Sequence, residues 1–349
     1  MPQSIPLIRA ASIAPMRRWL REIGHSPEPF LATAGLSWVP EDDPYLPIPL
    51  RGVVALLVEI SRRIGPDAPC RMVKGRGGYE IGLIGAAALC GPTVREGFQR
   101  LARSMPRHCT HEMFVVLDEG DGLHIRDGWA MDMGDTEVLH FVQQYVAALV
   151  DMICSVASGA SPSADRVEIV PHPTAGLAHL RPWLGDRVLA AKDRALDVVV
   201  SNEVAAKQFT DAVQREALLQ SEPDGNRLRE VNCLSEDVAT LVSSMLPRTT
   251  PLLEKVAASA GVSSRTLRRH LQEEGTSFSD IVERTRSQIA VDRMQSEPGT
   301  PLGDIAAELG YSDQSTLTRM VKRWTGHTPS EFKKTHRVDD HTGNPIGLP

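Results

Sequence analysis

Two short stretches carry side chains of the kinds that recognise nucleic-acid bases. Ser264, Arg265, Thr266, Arg268, Arg269 and Gln272 lie in the first, and Gln314, Ser315, Thr318, Arg319 and Lys322 lie in the second, about fifty residues further on. Arg presents paired N–H groups that match the acceptors of guanine, Gln matches adenine, and Ser or Thr bonds either a base or a phosphate. Their spacing gathers these residues on one side of a helix. Leu267 and Leu271 take the other side in the first stretch, and Leu317, Val321 and Trp324 in the second. A single polar face of this kind would fit a solvated surface as well as a reading face. Two copies, with Arg269 and Arg319 at matching places, point to DNA reading.

The elements that must hold these faces are duplicated as well. Thr250-Pro251-Leu252 returns as Thr300-Pro301-Leu302, Val256-Ala257-Ala258 as Ile305-Ala306-Ala307, and Gly261-Val262-Ser263 as Gly310-Tyr311-Ser312. In each copy a capping Thr followed by Pro is expected to open a first helix, and Gly261 or Gly310 to close it in the left-handed conformation. Ser263 and Ser312 are then expected to cap a second helix. This is the layout of a helix-turn-helix, whose second helix lies in a major groove. Between the copies, Ser277-Phe278-Ser279-Asp280 reads as a capping box that opens a longer helix, with Phe278, Ile281, Val282 and Ile289 on one side. That helix is expected to act as a rigid spacer between two readers.

These residues resemble the DNA-binding domain of the AraC/XylS family of bacterial transcription regulators. The likeness runs through Val256-Ala257, Gly261-Val262-Ser263, Leu267-Arg268-Arg269, Glu274-Gly275-Thr276-Ser277-Phe278, Leu309-Gly310-Tyr311-Ser312-Asp313 and Trp324-Thr325-Gly326-His327-Thr328-Pro329. It covers about a hundred residues. The family usually has Phe where this chain has Val321, and Tyr-Arg where it has Phe332-Lys333. The resemblance implies double-stranded promoter DNA, RNA polymerase and a second copy of the chain as partners, with no cofactor and no catalytic residue.

Composition sets bounds on the remainder. A length of 349 residues suggests two domains, and a 42% apolar fraction can build real cores. The net charge is -6, yet Ser235 to Arg337 holds 14 Lys/Arg against 13 Asp/Glu, so the acidic excess lies upstream of the reading stretches. The five cysteines are scattered with no C-x-x-C pair, which indicates a reducing compartment. Met1 to Leu20 lacks the apolar core of a signal peptide, and the apolar run near Val146 is broken by Asp151 and reads as too short for a membrane span. A soluble cytoplasmic protein is expected.

The first half reads as a mixed α+β domain. Leu50 to Ile64 is a helix, and Glu80 to Met105 a helical hairpin whose second helix starts at Thr93. Met113 to Leu117 and Leu123 to Trp129 are strands joined by an acidic turn, and Glu137 to Val156 is a long helix. Val167 to Val170 is a strand, and Val188 to Ala190 with Leu196 to Val200 reads as a further hairpin. Gly75-Arg76-Gly77-Gly78 lacks the Lys-Ser/Thr of a phosphate loop. His108-Cys109-Thr110-His111 has metal-capable donors, but no second cluster completes a tetrahedral site, so no metal is expected.

Glu80-Ile81-Gly82-Leu83-Ile84-Gly85, Pro92-Thr93-Val94-Arg95-Glu96 and Val170-Pro171-His172-Pro173 resemble the arabinose-binding-like amino-terminal domain of the ornithine-utilisation regulator subgroup. This likeness covers roughly residues 20 to 210 and implies effector sensing and dimerisation. Tyr79, Arg95, Trp129, Tyr145, His172 and Trp183 are the candidates to line an effector pocket, since aromatic walls with a few polar groups make small-molecule sites.

The expected layout is an effector-sensing and dimerisation domain over 1–210, a linker over 211–234, a double helix-turn-helix domain over 235–337 and a disordered tail over 338–349. The expected function is effector-controlled, sequence-specific regulation of transcription. Two rivals are a DNA-repair enzyme and an architectural binder without effector. Alkyl-transfer repair would need an activated cysteine in a metal cluster or a defined active-site motif, and these isolated cysteines offer neither.

Overall fold

A computed structural model describes residues 4–74, 78–220, 228, 233–297 and 299–336. Contacts divide the chain into two compact units, one spanning Ile5–Asn232 and the other running from Cys233.

The first unit contains, besides short 3-10 turns, β1 (Leu7–Arg9), α1 (Ala14–Glu22), α2 (Glu28–Thr33), β2 (Pro47–Pro49), α3 (Leu50–Ile64), α4 (Ala68–Val73), α5 (Gly82–Leu89) and α6 (Val94–His108). It continues with β3 (Glu112–Glu119), β4 (Gly122–Trp129), α7 (Thr136–Ser158), β5 (Arg166–Ile169), α8 (Arg181–Leu184), β6 (Val188–Ala190), β7 (Leu196–Ser201), α9 (Asn202–Ala205) and α10 (Asp211–Gln220). The domain is built around α7. Asp135 opens this helix by accepting from the Val138 N–H at 3.0 Å, and Gly159 closes it at φ 72°. Its 23 residues make it long and apolar enough to cross a membrane, so length does not set it apart from a span as the sequence suggested. Burial does: Phe141, Ala147, Val150, Ile153 and Cys154 are all within the core, and the helix packs against α3, α4, β5 and β7.

Five strands form one sheet in the order β3-β4-β7-β5-β6, antiparallel except for the β5–β6 pair. The sequence reading of β6 and β7 as a hairpin is therefore wrong. Val167 pairs with Val188 on one side and with Val198 on the other, so β5 lies between them. This arrangement gives the buried Val167 backbone partners on both flanks, whereas a β6–β7 hairpin would leave β5 on an edge.

The second unit is all helical: α11 (Leu234–Met245), α12 (Leu253–Ala260), α13 (Ser264–Glu273), α14 (Phe278–Ser296), α15 (Leu302–Glu308), α16 (Gln314–Thr325) and α17 (Pro329–His336). Helices α12 and α13 form one helix-turn-helix, α15 and α16 the other, and α14 joins them. Leu267, Leu271 and Ile281 are buried on the first side, where α11 packs on α12, α13 and α14. On the second side Ala290, Met294, Ile305, Leu309, Leu317, Val321 and Phe332 make one cluster.

Two capping expectations need correction. Pro251 and Pro301 precede the first helices, which start at Leu253 and Leu302 without a side-chain cap. Leu252 and Pro301 are extended there (ψ 138° and 139°), and the Thr300 hydroxyl turns back to donate to Glu297 at 3.1 Å. The cap of α16 is Asp313 in place of Ser312. Its carboxylate accepts from the Thr316 N–H at 2.8 Å and from the Ser312 hydroxyl at 2.9 Å, so the serine supports the cap.

Residues 221–226 of the expected linker, the glycines Gly75 and Gly77 and the tail after His336 lie outside the described residues.

Candidate nucleic-acid interface

The two second helices are aimed by matched turns. Gly261 and Gly310 take φ of 72° and 73° at the ends of α12 and α15, a region that costs glycine nothing and turns the chain sharply into the next helix. Ser263 then accepts from the Thr266 N–H at 3.1 Å, as Asp313 does from Thr316. Leu267, Leu271, Leu317 and Val321 are fully buried and lock the rotation of α13 and α16. Position by position, Ser264 matches Gln314, Arg265 matches Ser315, Arg268 matches Thr318, Arg269 matches Arg319 and Gln272 matches Lys322.

Arg265, Arg268, Arg269, Gln272, Gln314, Ser315, Arg319 and Lys322 are exposed, whereas Ser264, Thr266 and Thr318 are half-buried. The Thr266 hydroxyl meets the Ser263 hydroxyl at 2.9 Å, and Thr318 donates to the Gln314 carbonyl at 2.9 Å. These two threonines are therefore partly committed to holding the helix. Arg265 and Arg268 have no ion pair among the described residues. Arg269 Nε lies 3.5 Å from Glu273, and Arg319 donates to the Thr316 hydroxyl at 3.2 Å. Exposed contacts of this type are worth a few tenths of a kcal/mol, about 0.2–0.5, so both guanidinium groups can exchange them for a ligand.

Helix α14 carries polar pins to the second reader that the sequence reading missed. Arg293 pairs with Glu308 at 3.2 Å, and Glu283 takes Arg323 at 2.9 Å and the Trp324 indole N–H at 3.4 Å. The Arg286 guanidinium lies over the Tyr311 ring, 5.1 Å from its centroid. On the other side Glu274 accepts from the Leu234 and Ser235 N–H groups at 3.0 and 2.9 Å and so caps α11. Burial pushes the Glu274 carboxyl up, but the Cys233 thiol and these N–H donors outweigh it and hold the group below its usual range.

The pocket candidates of the first unit do not converge on one place. Trp129 and Tyr145 line the same apolar cavity, together with His108 and Glu112. Arg95 sits at a surface cluster, ion-paired with Asp118 and donating to Asn202 at 2.7 Å. His172 belongs to a buried histidine group, with His140 and His179 ring centroids 5.3 and 6.1 Å away. Trp183 lines a separate open groove, with Lys74 Nζ 4.7 Å from its ring centroid. The side chain of Tyr79 lies outside the described residues. His108, Cys109 and His111 do not form a ligand set, and His111 Nδ1 bonds the Thr110 hydroxyl at 2.6 Å. At the tip of the β3–β4 turn, Glu119, Asp121 and His124 bring ligand-capable atoms within 4.8 Å of one another.

Sequence comparison agrees with this division. Residues 256–335 match the model of a helix-turn-helix domain, and residues 24–199 match that of the arabinose-binding domain of AraC transcription regulators, N-terminal. The chain belongs to the AraC family of transcription regulators. Its relatives include the HTH-type transcriptional regulator VirS of Mycobacterium tuberculosis, 26% identical over 331 residues that cover 94% of this chain and 96% of VirS. The ornithine utilization regulator of Pseudomonas aeruginosa is 33% identical over 104 residues, 29% of this chain and 30% of that protein. Among solved structures, that of the transcriptional regulator CdpR from Pseudomonas aeruginosa aligns over 93% of this chain and 98% of its own, with a TM-score of 0.40 and 16% identity. As an AraC-family member the chain is a DNA-binding transcriptional regulator with an N-terminal domain of the arabinose-binding type.

Proposed function

We propose that both helix-turn-helix units read adjacent major-groove segments on one face of promoter DNA, and that a small molecule bound in the first unit controls this binding. One observation carries the reading: α13 and α16, joined by the single continuous helix α14, expose Arg269 and Arg319 at matching positions, with Arg265, Arg268 and Gln272 beside the first and Gln314, Ser315 and Lys322 beside the second. The 19 residues of α14 make a spacer of about 28 Å, close to the roughly 34 Å between major-groove segments one helical turn apart. The pins from Glu283, Arg286 and Arg293 favour one fixed orientation of the second reader.

The domain scheme that goes with this reading is sensing and dimerisation in 1–210, a linker in 211–234 and DNA binding in 235–337. The active form is a homodimer in the cytoplasm that acts through RNA polymerase and has no catalytic step or cofactor. The effector acts by preferring one of two arrangements of the protein, and its leverage cannot exceed that difference in affinity.

Footprinting the full chain on selected DNA tests the geometry. Two protected patches per protomer, one helical turn apart, are expected, and five base pairs inserted between them should rotate one patch out of reach. Binding that tolerates the insertion would mean that only one unit is engaged.

A further inference from the structure

The two reading helices match in place but differ in chemistry. At its second, fifth and sixth positions α13 carries Arg265, Arg268 and Arg269, where α16 carries Ser315, Thr318 and Arg319. Arg265 stands three residues before Arg268 and four before Arg269, so the three guanidinium groups gather on one side of α13, away from the buried Leu267 and Leu271. All three side chains are exposed. Among the described residues the one carboxylate paired with any of them is Glu273, 3.5 Å from Arg269. Like charges at this spacing repel one another in the free protein, and acceptors brought by a ligand relieve that repulsion.

The same side of α16 is poorer in forked donors. The Thr318 hydroxyl donates to the Gln314 carbonyl at 2.9 Å, and Ser315 offers one hydroxyl, which suits any base or a phosphate. Arg319 is the one guanidinium at the three matching positions. Lys322 is the ninth residue of α16, beyond the N-terminal residues with which a recognition helix meets base edges, and Arg323 is held by Glu283 at 2.9 Å. The helix starts differ as well. Helix α13 opens on the neutral Ser263 hydroxyl. The Thr316 N–H holds the Asp313 carboxyl below its ordinary range, so α16 opens on an anion that opposes nearby phosphates.

We infer that α13 reads a guanine-rich segment through Arg265, Arg268 and Arg269, whereas α16 reads a mixed segment in which Arg319 takes a single guanine, so the DNA site is asymmetric. The chemistry follows from the fork. Guanine presents two acceptors, N7 and O6, side by side in the major groove, and a guanidinium answers both. Adenine sets a donor beside its acceptor, thymine offers one acceptor beside a methyl group, and cytosine offers a donor. Arg265 and Arg269 stand about 6 Å apart along the helix axis, close to two base-pair steps of about 3.4 Å, so the guanines fall at neighbouring base pairs. The assignment rests on the reading that both units enter the major groove.

The test is selection of sites from a random pool of duplexes with the full chain, followed by footprinting. Two protected segments are expected, one with guanines at two or more neighbouring base pairs and the other with one. Replacing a guanine of the rich segment by 7-deazaguanine removes N7 and keeps base pairing, and should weaken binding by about fivefold or more. Arg265→Ser and Arg268→Thr give α13 the residues that α16 has at those places. Each should flatten the preference at one base pair of the rich segment and leave the other segment unchanged. Arg268→Lys keeps the charge without the planar fork, so it should hold affinity for a scrambled duplex within about twofold while losing about fivefold or more on the selected site. Guanines shared equally between the segments, a rich segment whose preference survives both substitutions, or indifference to 7-deazaguanine would overturn the assignment and leave the two-segment reading standing. Protection of one segment alone would refute the two-segment reading, and the α13 substitutions would still decide whether Arg265 and Arg268 read its guanines.

Discussion

Substituting Ala for Arg269 or Arg319 should weaken sequence-specific binding by about 5- to 150-fold each, the equivalent of 1–3 kcal/mol for a bidentate base contact. The structure makes the competition on each side explicit. Before binding DNA, Arg269 must leave Glu273, 3.5 Å away, and the two side chains are 65% and 60% exposed. Such a pair is worth about 0.2–0.5 kcal/mol, a fraction of what the base contact returns. Arg319 gives up one hydrogen bond of 3.2 Å to Thr316. Glu273→Gln therefore serves as a control: it frees Arg269 and removes a negative charge from the reading face, so affinity should hold or rise by about twofold. None of these exposed side chains belongs to the core, and melting should shift by less than about 0.5 kcal/mol in stability. Fluorescence anisotropy on duplexes with the selected site and with a scrambled site, at several salt concentrations, is the assay. Loss of a base contact narrows the gap between the two duplexes, whereas loss of a phosphate contact lowers both and reduces the salt slope by about one. If both Arg variants fold and keep affinity and preference within about twofold, these helix faces do not read DNA. If Glu273→Gln costs as much as Arg269→Ala, Arg269 acts through Glu273 and not on the DNA.

Leu317→Ala removes a fully buried side chain from the second cluster and should destabilise that unit by about 2–5 kcal/mol, seen as an earlier transition in thermal unfolding while the cap at Ser263 is untouched. Ser263→Ala should cost about 1 kcal/mol through the lost bond to the Thr266 N–H, measured by denaturant midpoint. Burial favours the neutral Glu112 acid, so its stabilising effect is present below the ordinary carboxyl range and fades as pH rises to about 7; Glu112→Gln should melt like the wild type at pH 5 and higher than it at pH 8. His108 behaves oppositely: burial, with the Arg9 charge, holds its pKa down to about 3, so stability falls as pH drops below the ordinary imidazole range, and a His108→Phe chain should lose less stability on going from pH 7 to pH 4. A fragment beginning at residue 221 should keep the site preference of the full chain in gel shifts with lower affinity, and a folded fragment without preference would mean that the first unit reads DNA too.

The second unit was legible in the sequence because its determinants are local. Caps, turn glycines and three-to-four spacing act within a few residues, and a duplicated pattern read twice leaves little room for another fold. Even there, the choice of Asp313 over Ser312 as cap was a contest between two neighbouring oxygens that only the folded turn decides. The first unit was legible element by element but not in its connections. The strand β5 separates β6 from β7 because pairing the buried Val167 on both flanks is a property of the whole sheet, which hairpin spacing cannot express. Periodicity likewise marked α7 as apolar without saying what covers it; packing against α3, α4 and the sheet makes it a core helix. Asp127 gave a faint signal, a carboxyl in phase with the buried Leu123 and Ile125 of β4, whereas in β3 the apolar Met113, Val115 and Leu117 face outward. The meeting of Ser12 with His108, Glu112 and Tyr145 around one cavity joins residues far apart along the chain, and proximity of that kind is produced by tertiary folding alone.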